Sequence, residues 1–330
     1  MIFIGKAPYR VSLLGGGSDL EWFVKEKGYG ICLGFALKEY SYSVIKVLPK
    51  NAKRGLLDYS TREIYSSIND IVHPIVREVL KDLGISRYLE LKTFGFASGG
   101  SGLGGSSSFL LSLLSSLSNA FDINLTDQEI IEKACSLEIN NLKKPIGKQD
   151  QYLCANKGFN SFSFFDNNEV KKNDLSSQKI NTLKRLSEDF YLIPTNKNRN
   201  TEKVLSEIKR DTKSSERILE IRSIASDFLN FTENREYKIE EIFHESIRNS
   251  WNIKKNLSQV MTPILNQQYE VINKIIPNNW IRLVGAGNGG YFLVSSKIPT
   301  GKVYELSDVE GIRGIFKAQI SNEGISSYSL

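Results

Sequence analysis

Residues 97–108, ASGGSGLGGSSS, carry almost no side chain, while the next twelve, FLLSLLSSLSNA, predict a leucine-rich helix over Phe109–Ala120. A helix of that kind has to be buried. The glycine run is therefore anchored to a core at its C-terminal end and is not a free linker. Upstream, YLELKTF at 88–94 alternates apolar and polar residues, the pattern of a half-buried strand. Glycine lets successive N–H groups converge without interference from a Cβ, and a helix N-terminus adds a dipole that favours an anion. Strand, bare backbone and helix together predict a phosphate cradle built from Gly99, Gly100, Ser101, Gly102, Leu103, Gly104, Gly105, Ser106 and Ser107.

Two more glycine loops flank this one, LLGGGSDL at 13–20 and VGAGNGGYF at 284–292. Gly100, Gly102 and Gly105 match the GxGxxG spacing of dinucleotide folds, as do Gly285, Gly287 and Gly290. Neither context fits. The acidic residue expected about 20 positions on would be Asp122, which lies between two predicted helices, and the third loop runs into a strand. No lysine follows the glycines, so the P-loop pattern is absent.

The whole chain sets outer limits. With 330 residues and 40% apolar content it can bury a large core, and its length favours two domains. The net charge of +6 comes from 43 basic and 37 acidic residues that are intermixed. That argues against nucleic-acid binding and suits anionic small molecules. Three cysteines (Cys32, Cys135, Cys154) and two histidines (His73, His244) give neither a disulfide framework nor a zinc pattern. No apolar run is long enough for a membrane span, and the expectation is a cytoplasmic protein without a membrane partner. The sequence does not specify an oligomeric state.

Strands are expected at 8–14, 29–37 and 40–48, with a short helix after the first glycine loop and a further strand in LLDYSTREIYS. A helix is expected over 71–84, and another from a Thr126–Glu129 capping box to about Leu142. Pro145 and Gly147 break that helix before a short one in DQYLCANK and a strand in GFNSFSFF. The polar stretch 166–188 marks a boundary, dividing the chain into 1–185 and 186–330. The second part has helices near 199–232 and 238–276, strands IRLVGA and YFLVSS, and a late strand GIFKAQI.

Phosphoryl transfer needs a metal site, a phosphate cradle and a group that orients the attacking hydroxyl. Ser106–Ser108 open the helix after the cradle, Glu138 lies in ACSLEINNL and Asp150 in PIGKQDQY. Taken singly, Glu138 would be a solvated helix residue and Asp150 an ordinary acid at a helix start.

Jointly the three loops resemble the GHMP kinases, in family order and over nearly the whole chain. Ala7-Pro8-Tyr9-Arg10 leads to GGGSD, Gly102–Ser107 stands where the family has GLGSS, and Gly285–Gly290 where it has GAGxGG. Gly105 replaces the first serine of GLGSS, leaving Ser106 or Ser107 as the metal ligand, and Asn288 replaces a common glycine. The resemblance implies an α+β fold in two domains, an N-terminal half related to the second domain of ribosomal protein S5 and a ferredoxin-like C-terminal half. It implies ATP and Mg²⁺ as cofactors, Mg²⁺ on Ser106 and Glu138, and Asp150 as catalytic residue in the G-x-x-D-Q turn. Arg10 assists the attacking hydroxyl. Gly16, Gly17, Ser18, Asp19, Gly287, Asn288 and Gly289 are expected around the sugar.

Within the family, RVSLLGGGSDL, PIGKQDQY and WNIKKNLS are similar to the kinases of D-glycero-D-manno-heptose 7-phosphate. This similarity implies phosphorylation at the anomeric O1, toward nucleotide-activated heptose and surface polysaccharide. A phosphorylated sugar needs an anion clamp, with Lys148, Arg199 and Arg282 as candidates. The competing readings are another sugar or small-alcohol kinase of the family, a nicotinamide-dependent oxidoreductase and a non-catalytic sugar sensor.

Overall fold

The computed structural model describes residues 1–97, 100–195, 201–232, 235–276, 279–297 and 314–330. The expected strands are present, but longer and fused. β1 runs Phe3–Leu14, and 29–37 and 40–48 are one strand, β2 (Tyr29–Val47), with α1 (Glu21–Lys27) between β1 and β2. The segment expected as a single strand near 56–66 is a hairpin of β3 (Gly55–Asp58) and β4 (Arg62–Tyr65), whose ends are tied by an Asp58–Arg62 ion pair of 3.0 Å. α2 (Pro74–Asp82) starts from His73, whose imidazole accepts the Val76 N–H. β5 (Leu89–Phe94) leads to α3 (Gly105–Ala120), α4 (Asp127–Ser136), α5 (Gln149–Ala155) and β6 (Phe159–Phe165). The Thr126–Glu129 capping box is formed at the start of α4.

The polar stretch at 166–188 is not a bare linker. It holds β7 (Val170–Asn173), paired with β6, and α6 (Ser177–Ser187). Beyond it come β8 (Phe190–Pro194) and four helices, α7 (Thr201–Arg210), α8 (Ser214–Asn230), α9 (Glu236–Lys254) and α10 (Pro263–Ile275). β9 (Trp280–Leu283) and β10 (Tyr291–Ser295) enclose the third glycine loop. The late strand is short, β11 (Phe316–Lys317), and β12 (Ser326–Ser329) has no periodicity that would have announced it.

The first sheet runs β12-β1-β2-β5-β3-β4, with β6 paired to β2 and β7 outside β6; the second runs β11-β8-β10-β9. The sheet therefore changes between β7 and β8, but β12 returns to pair with β1, so residues 326–329 lie with the N-terminal sheet. The length of β2 makes this possible: Tyr42–Val47 pairs with β5 and Tyr29–Phe35 with β6.

Both faces of the β1–β2 pair are covered. Ala7, Cys32 and Ile45 pack with α2–α5, whereas Tyr9, Val11, Leu13, Leu33 and Phe35 pack with α8, α9 and the second sheet. Two-sided burial accounts for the near-continuous apolar runs in these strands. The β1–β2 register shifts between Pro8 and Arg10. Because of that shift Ala7 and Tyr9, two residues apart, enter different cores, and Arg10 is re-aimed as bulges commonly re-aim a side chain.

α3 is buried although serines interrupt it. Ser112 and Ser116 donate to the Phe109 and Leu113 carbonyls at 2.8 and 2.9 Å, and Ser112 also meets Ser43 at 2.8 Å. Satisfied in this way, small serines let the helix lie against the sheet. The approach is closest at Gly5, where an added Cβ would stand 2.0 Å from Ser112 O and 2.8 Å from Ser116 N. Gly5→Ala should therefore cost about 1–3 kcal/mol by overpacking, read as a lower urea midpoint with an unchanged slope. An unchanged midpoint would mean that α3 can move away from β1.

Candidate active site

Gly104 precedes α3 in the left-handed region at φ 76°. A Cβ there would come within 2.9 Å of both Arg10 Cγ and Cys154 Sγ, so the loop lies directly on Arg10. α3 begins at Gly105, four residues before the apolar run, which places Ser106 and Ser107 in the first turn. The backbone N–H groups of a first turn have no acceptor within the helix. The cavity beside it is lined by Gly100, Ser101, Gly102 and Gly104–Ser107, with Glu138 and Lys144 also in its wall. Leu103 turns away from it: its side chain is buried in the second core, and its carbonyl accepts the Arg10 N–H at 2.9 Å. Gly99 lies outside the described residues. The third loop supports the second, since a Cβ on Gly290 would stand 2.2 Å from Ser101 O.

α4 ends in a π-helical turn, Leu137–Asn141. Such turns insert a residue, re-aim side chains and recur at functional sites. Here the turn carries Glu138, which is 0% exposed rather than solvated. Its Oε1 accepts Ser106 Oγ at 2.6 Å and Lys144 Nζ at 2.8 Å; its Oε2 accepts Ser107 Oγ at 2.7 Å and Gln151 Nε2 at 2.6 Å. Lys144 also donates to Ser106 Oγ at 2.6 Å. The hydroxyl and carboxylate are hard donors of the kind Mg²⁺ takes. They already converge on one cation, the Lys144 ammonium, so the donor set fits a small positive ion. Ser106, not Ser107, shares that cation.

Arg10 and Asp150 form a two-point pair, Nε to Oδ1 at 2.9 Å and Nη2 to Oδ2 at 2.6 Å. The third arm of the guanidinium donates to Gly102 O at 2.5 Å, tying the pair to the phosphate loop. Burial opposes the charge on Arg10, and Asp150 more than offsets it, so the Arg10 pKa is raised. Arg10 and Asp150 line two neighbouring cavities, the one over the phosphate loop and a second walled by Gly16, Gly17, Asp19, Gly285 and Ala286. Ile146 and Thr201 also face both.

Asp19 is 5% exposed and accepts the Gln149 N–H at 3.0 Å and Gln149 Nε2 at 2.7 Å. Gln149 in turn accepts Ser12 Oγ at 2.9 Å, which fixes the orientation of its amide. Gly147 permits this arrangement, because a Cβ there would lie 2.0 Å from Asp19 Oδ2. Burial pushes the Asp19 carboxyl up to about 6.

Several expected sugar and anion contacts lie elsewhere. Ser18 is turned inward, its hydroxyl bonded to the Gly15 and Ile31 backbone, because it holds the first glycine turn on β2. Gly287 and Asn288 pack on Val260, with Asn288 N–H donating to its carbonyl at 2.8 Å, so Gly285 and Ala286 rather than residues 287–289 face the second cavity. Gly289, at φ 134°, completes the same turn. Lys148 donates to Asn168 and lines a different cavity. Arg282 is 1% exposed and donates to Leu13 O; burial lowers its pKa to about 10, and it braces the second sheet against β1. Arg199 lies outside the described residues. Besides Arg10, the described cation that lines the second cavity is Lys254 at the end of α9, 7% exposed and donating to Gly285 O at 2.6 Å. Lys144, Gln149, Gln151 and Lys254 are the residues that sequence reasoning missed. The two glutamines flank Asp150 in the turn already singled out, and Lys254 lies in WNIKKNLS, quoted above without a role for it, but Lys144 carries no local signal.

A pH dependence follows from Asp19. Its folded pKa of about 6 stands above the ordinary 3.8, so the folded protein binds this proton more tightly than the unfolded chain. The associated stability is complete below about pH 4 and lost as pH rises through about 6. Asp19→Asn removes this component. The stability of wild type relative to Asp19→Asn should fall by about 3 kcal/mol between those limits. Parallel denaturant-derived pH profiles for the two proteins would contradict it.

The description "GHMP kinases N terminal domain" matches residues 70–158, from α2 through α5. A D-glycero-alpha-D-manno-heptose 7-phosphate kinase of Campylobacter jejuni subsp. jejuni serotype O:2 is 25% identical, with 98% of each chain covered. Among solved structures, a D-glycero-D-manno-heptose 1-phosphate kinase from Bacteroides thetaiotaomicron superposes with a TM-score of 0.77 at 22% identity, covering 100% of this chain and 99% of that one. The galactokinase of Lactococcus lactis, complexed with galactose, gives 0.73 at 15% identity, with 100% and 95% covered. Mevalonate kinase of Methanococcus jannaschii gives 0.72 at 18%, with 97% and 98% covered. These likenesses extend over the whole α+β architecture: the chain has the fold of these kinases, and residues 70–158 match the GHMP kinase N-terminal domain.

Proposed function

We propose that the protein transfers the γ-phosphoryl group of ATP to the anomeric O1 of D-glycero-D-manno-heptose 7-phosphate, a cytoplasmic step toward nucleotide-activated heptose. The observation that carries this reading is the seam between the two cavities. The Arg10–Asp150 pair faces both, with the phosphate loop and Glu138 on one side and Asp19 and Lys254 on the other. A donor phosphate on the first side and a sugar hydroxyl on the second would meet at this pair.

The backbone N–H groups at the start of α3 cradle the nucleotide phosphates. Ser106 and Glu138 would hold Mg²⁺, which supplies charge neutralisation to the transferring group. Asp150 keeps a lone pair on each oxygen beyond its Arg10 bonds and accepts the hydrogen bond of the sugar hydroxyl, turning its oxygen toward the donor. In a loose phosphoryl transfer such positioning outweighs proton removal. Asp19, held by Gln149, accepts from a further hydroxyl. Lys254 clamps the phosphate that the acceptor already carries, as a charge-assisted contact. The relatives named for heptose phosphates support this choice of substrate, as does the net charge of +6.

Heptose 7-phosphate and free heptose, each with Mg-ATP, test the reading, with phosphorus NMR locating the new ester. Preference for the free sugar, or transfer to a hydroxyl other than O1, would overturn the substrate. Two substitutions separate the roles. Asp150→Asn should lower kcat by about 10²-fold or more while nucleotide affinity persists; turnover within about threefold of wild type would return Asp150 to a helix-start role. Lys254→Met should raise KM for the 7-phosphate by at least about tenfold and leave the poor turnover of free heptose nearly unchanged. Equal losses on both sugars would mean that Lys254 only braces Gly285.

A further inference from the structure

A positive charge already stands where Ser106 and Glu138 converge. The Lys144 ammonium is 2.6 Å from Ser106 Oγ and 2.8 Å from Glu138 Oε1, with its side chain 18% exposed above a carboxylate that is 0% exposed. The local chain is shaped to bring it there. After the π turn, Lys143 adopts φ 54°, in the left-handed region that costs a residue with a Cβ free energy. The Lys144 N–H then donates to Glu138 O at 3.0 Å, folding residue 144 back over the side chain it neutralises.

Glu138 receives four donors, two on each oxygen, which fills the capacity of a carboxylate. Ser106 and Ser107 are set in α3 and Gln151 in α5. Only Lys144 reaches in from a loop, on a long flexible stem. A divalent ion touching Ser106 Oγ and Glu138 Oε1 would overlap and repel the ammonium, so Lys144 is the donor that must leave.

We propose that Lys144 is a resident cation: it closes the metal position of the nucleotide-free protein and yields it to a divalent ion that arrives on a nucleotide. The nucleotide half of this inference rests on the kinase reading above; the cation exchange itself does not. It would keep Glu138 charge-balanced between turnovers and make the site selective for metal–nucleotide over free metal.

The test uses the full-length protein without nucleotide, Mn²⁺ as probe followed by electron paramagnetic resonance, and thermal unfolding with and without Mg²⁺ at matched ionic strength. Wild type should bind Mn²⁺ weakly, and ADP should tighten that binding. Lys144→Met leaves Glu138 unpaired. It should lower Tm in the absence of metal, regain most of the loss with Mg²⁺, and bind Mn²⁺ at least about tenfold more tightly than wild type. Lys144→Arg keeps a cation and should behave as wild type. Unchanged Mn²⁺ affinity in Lys144→Met, or a Tm loss that Mg²⁺ does not repair, would overturn the proposal and leave Lys144 a structural ion-pair partner. Should Lys144→Met not fold, Lys144→Gln, which keeps a donor without the charge, carries the same comparison. Wild-type Mn²⁺ affinity that ADP does not change would overturn the nucleotide-linked half. Absence of turnover on every acceptor would count against the kinase reading and not against the exchange.

Discussion

The Arg10–Asp150 pair is the contact on which the rest of the site depends. Arg10 is 3% exposed, and each of its three guanidinium nitrogens donates: two bonds to Asp150 on α5 and one to Gly102 in the loop before α3. Its backbone N–H holds Leu103 O as well. One side chain thereby sets the distance between strand β1, the loop before α3 and the start of α5. Removing either partner would leave a buried charge uncompensated, which commonly costs on the order of 3–5 kcal/mol when both are fully buried. The partial exposure of Asp150, 28% of its side chain, reduces that figure here.

The pair can stand there because of how β1 is built. The first of its two register shifts against β2 falls between Pro8 and Arg10, where the strand changes which core its alternate residues enter. The glycines complete the fit by absence of bulk. Gly104 lets the phosphate loop rest on Arg10, Gly147 lets α5 start against Asp19, and Gly290 lets the third loop back the second. These three glycines thus serve close approaches around one site.

Glu138 occupies the other end of the same machinery. A carboxylate this deep persists because four donors reach it, and the π turn is what points it inward. The residues that satisfy it come from α3, α5 and the loop after the π turn. Glu138, the glycine loop before α3 and the Arg10–Asp150 pair are consequently one connected network, and the second cavity opens directly beside it.

Much of this was legible in the chain. A glycine run joined to a leucine-rich helix admits few structures, because that helix must be buried and the run must pass close to it. The resemblance carried by Arg10, Glu138 and Asp150 depends on short spacings, and local geometry preserves such spacings. The sequence was a poorer guide to strand ends: β2 is continuous because both its edges find partners, and β12 exists because β1 offers it a free edge. It was poorest for long cations. Lys148 and Arg282 look as suitable for an anion as Lys254 does, yet one turns to Asn168 and one is sealed against Leu13, while Lys254 lines the second cavity. The sequence alone determined the glycine loops and the buried helix, since their constraints act between near neighbours. Only the tertiary structure decided which lysine faces which oxygen, because a flexible charged side chain takes its direction from the groups that other segments bring within reach.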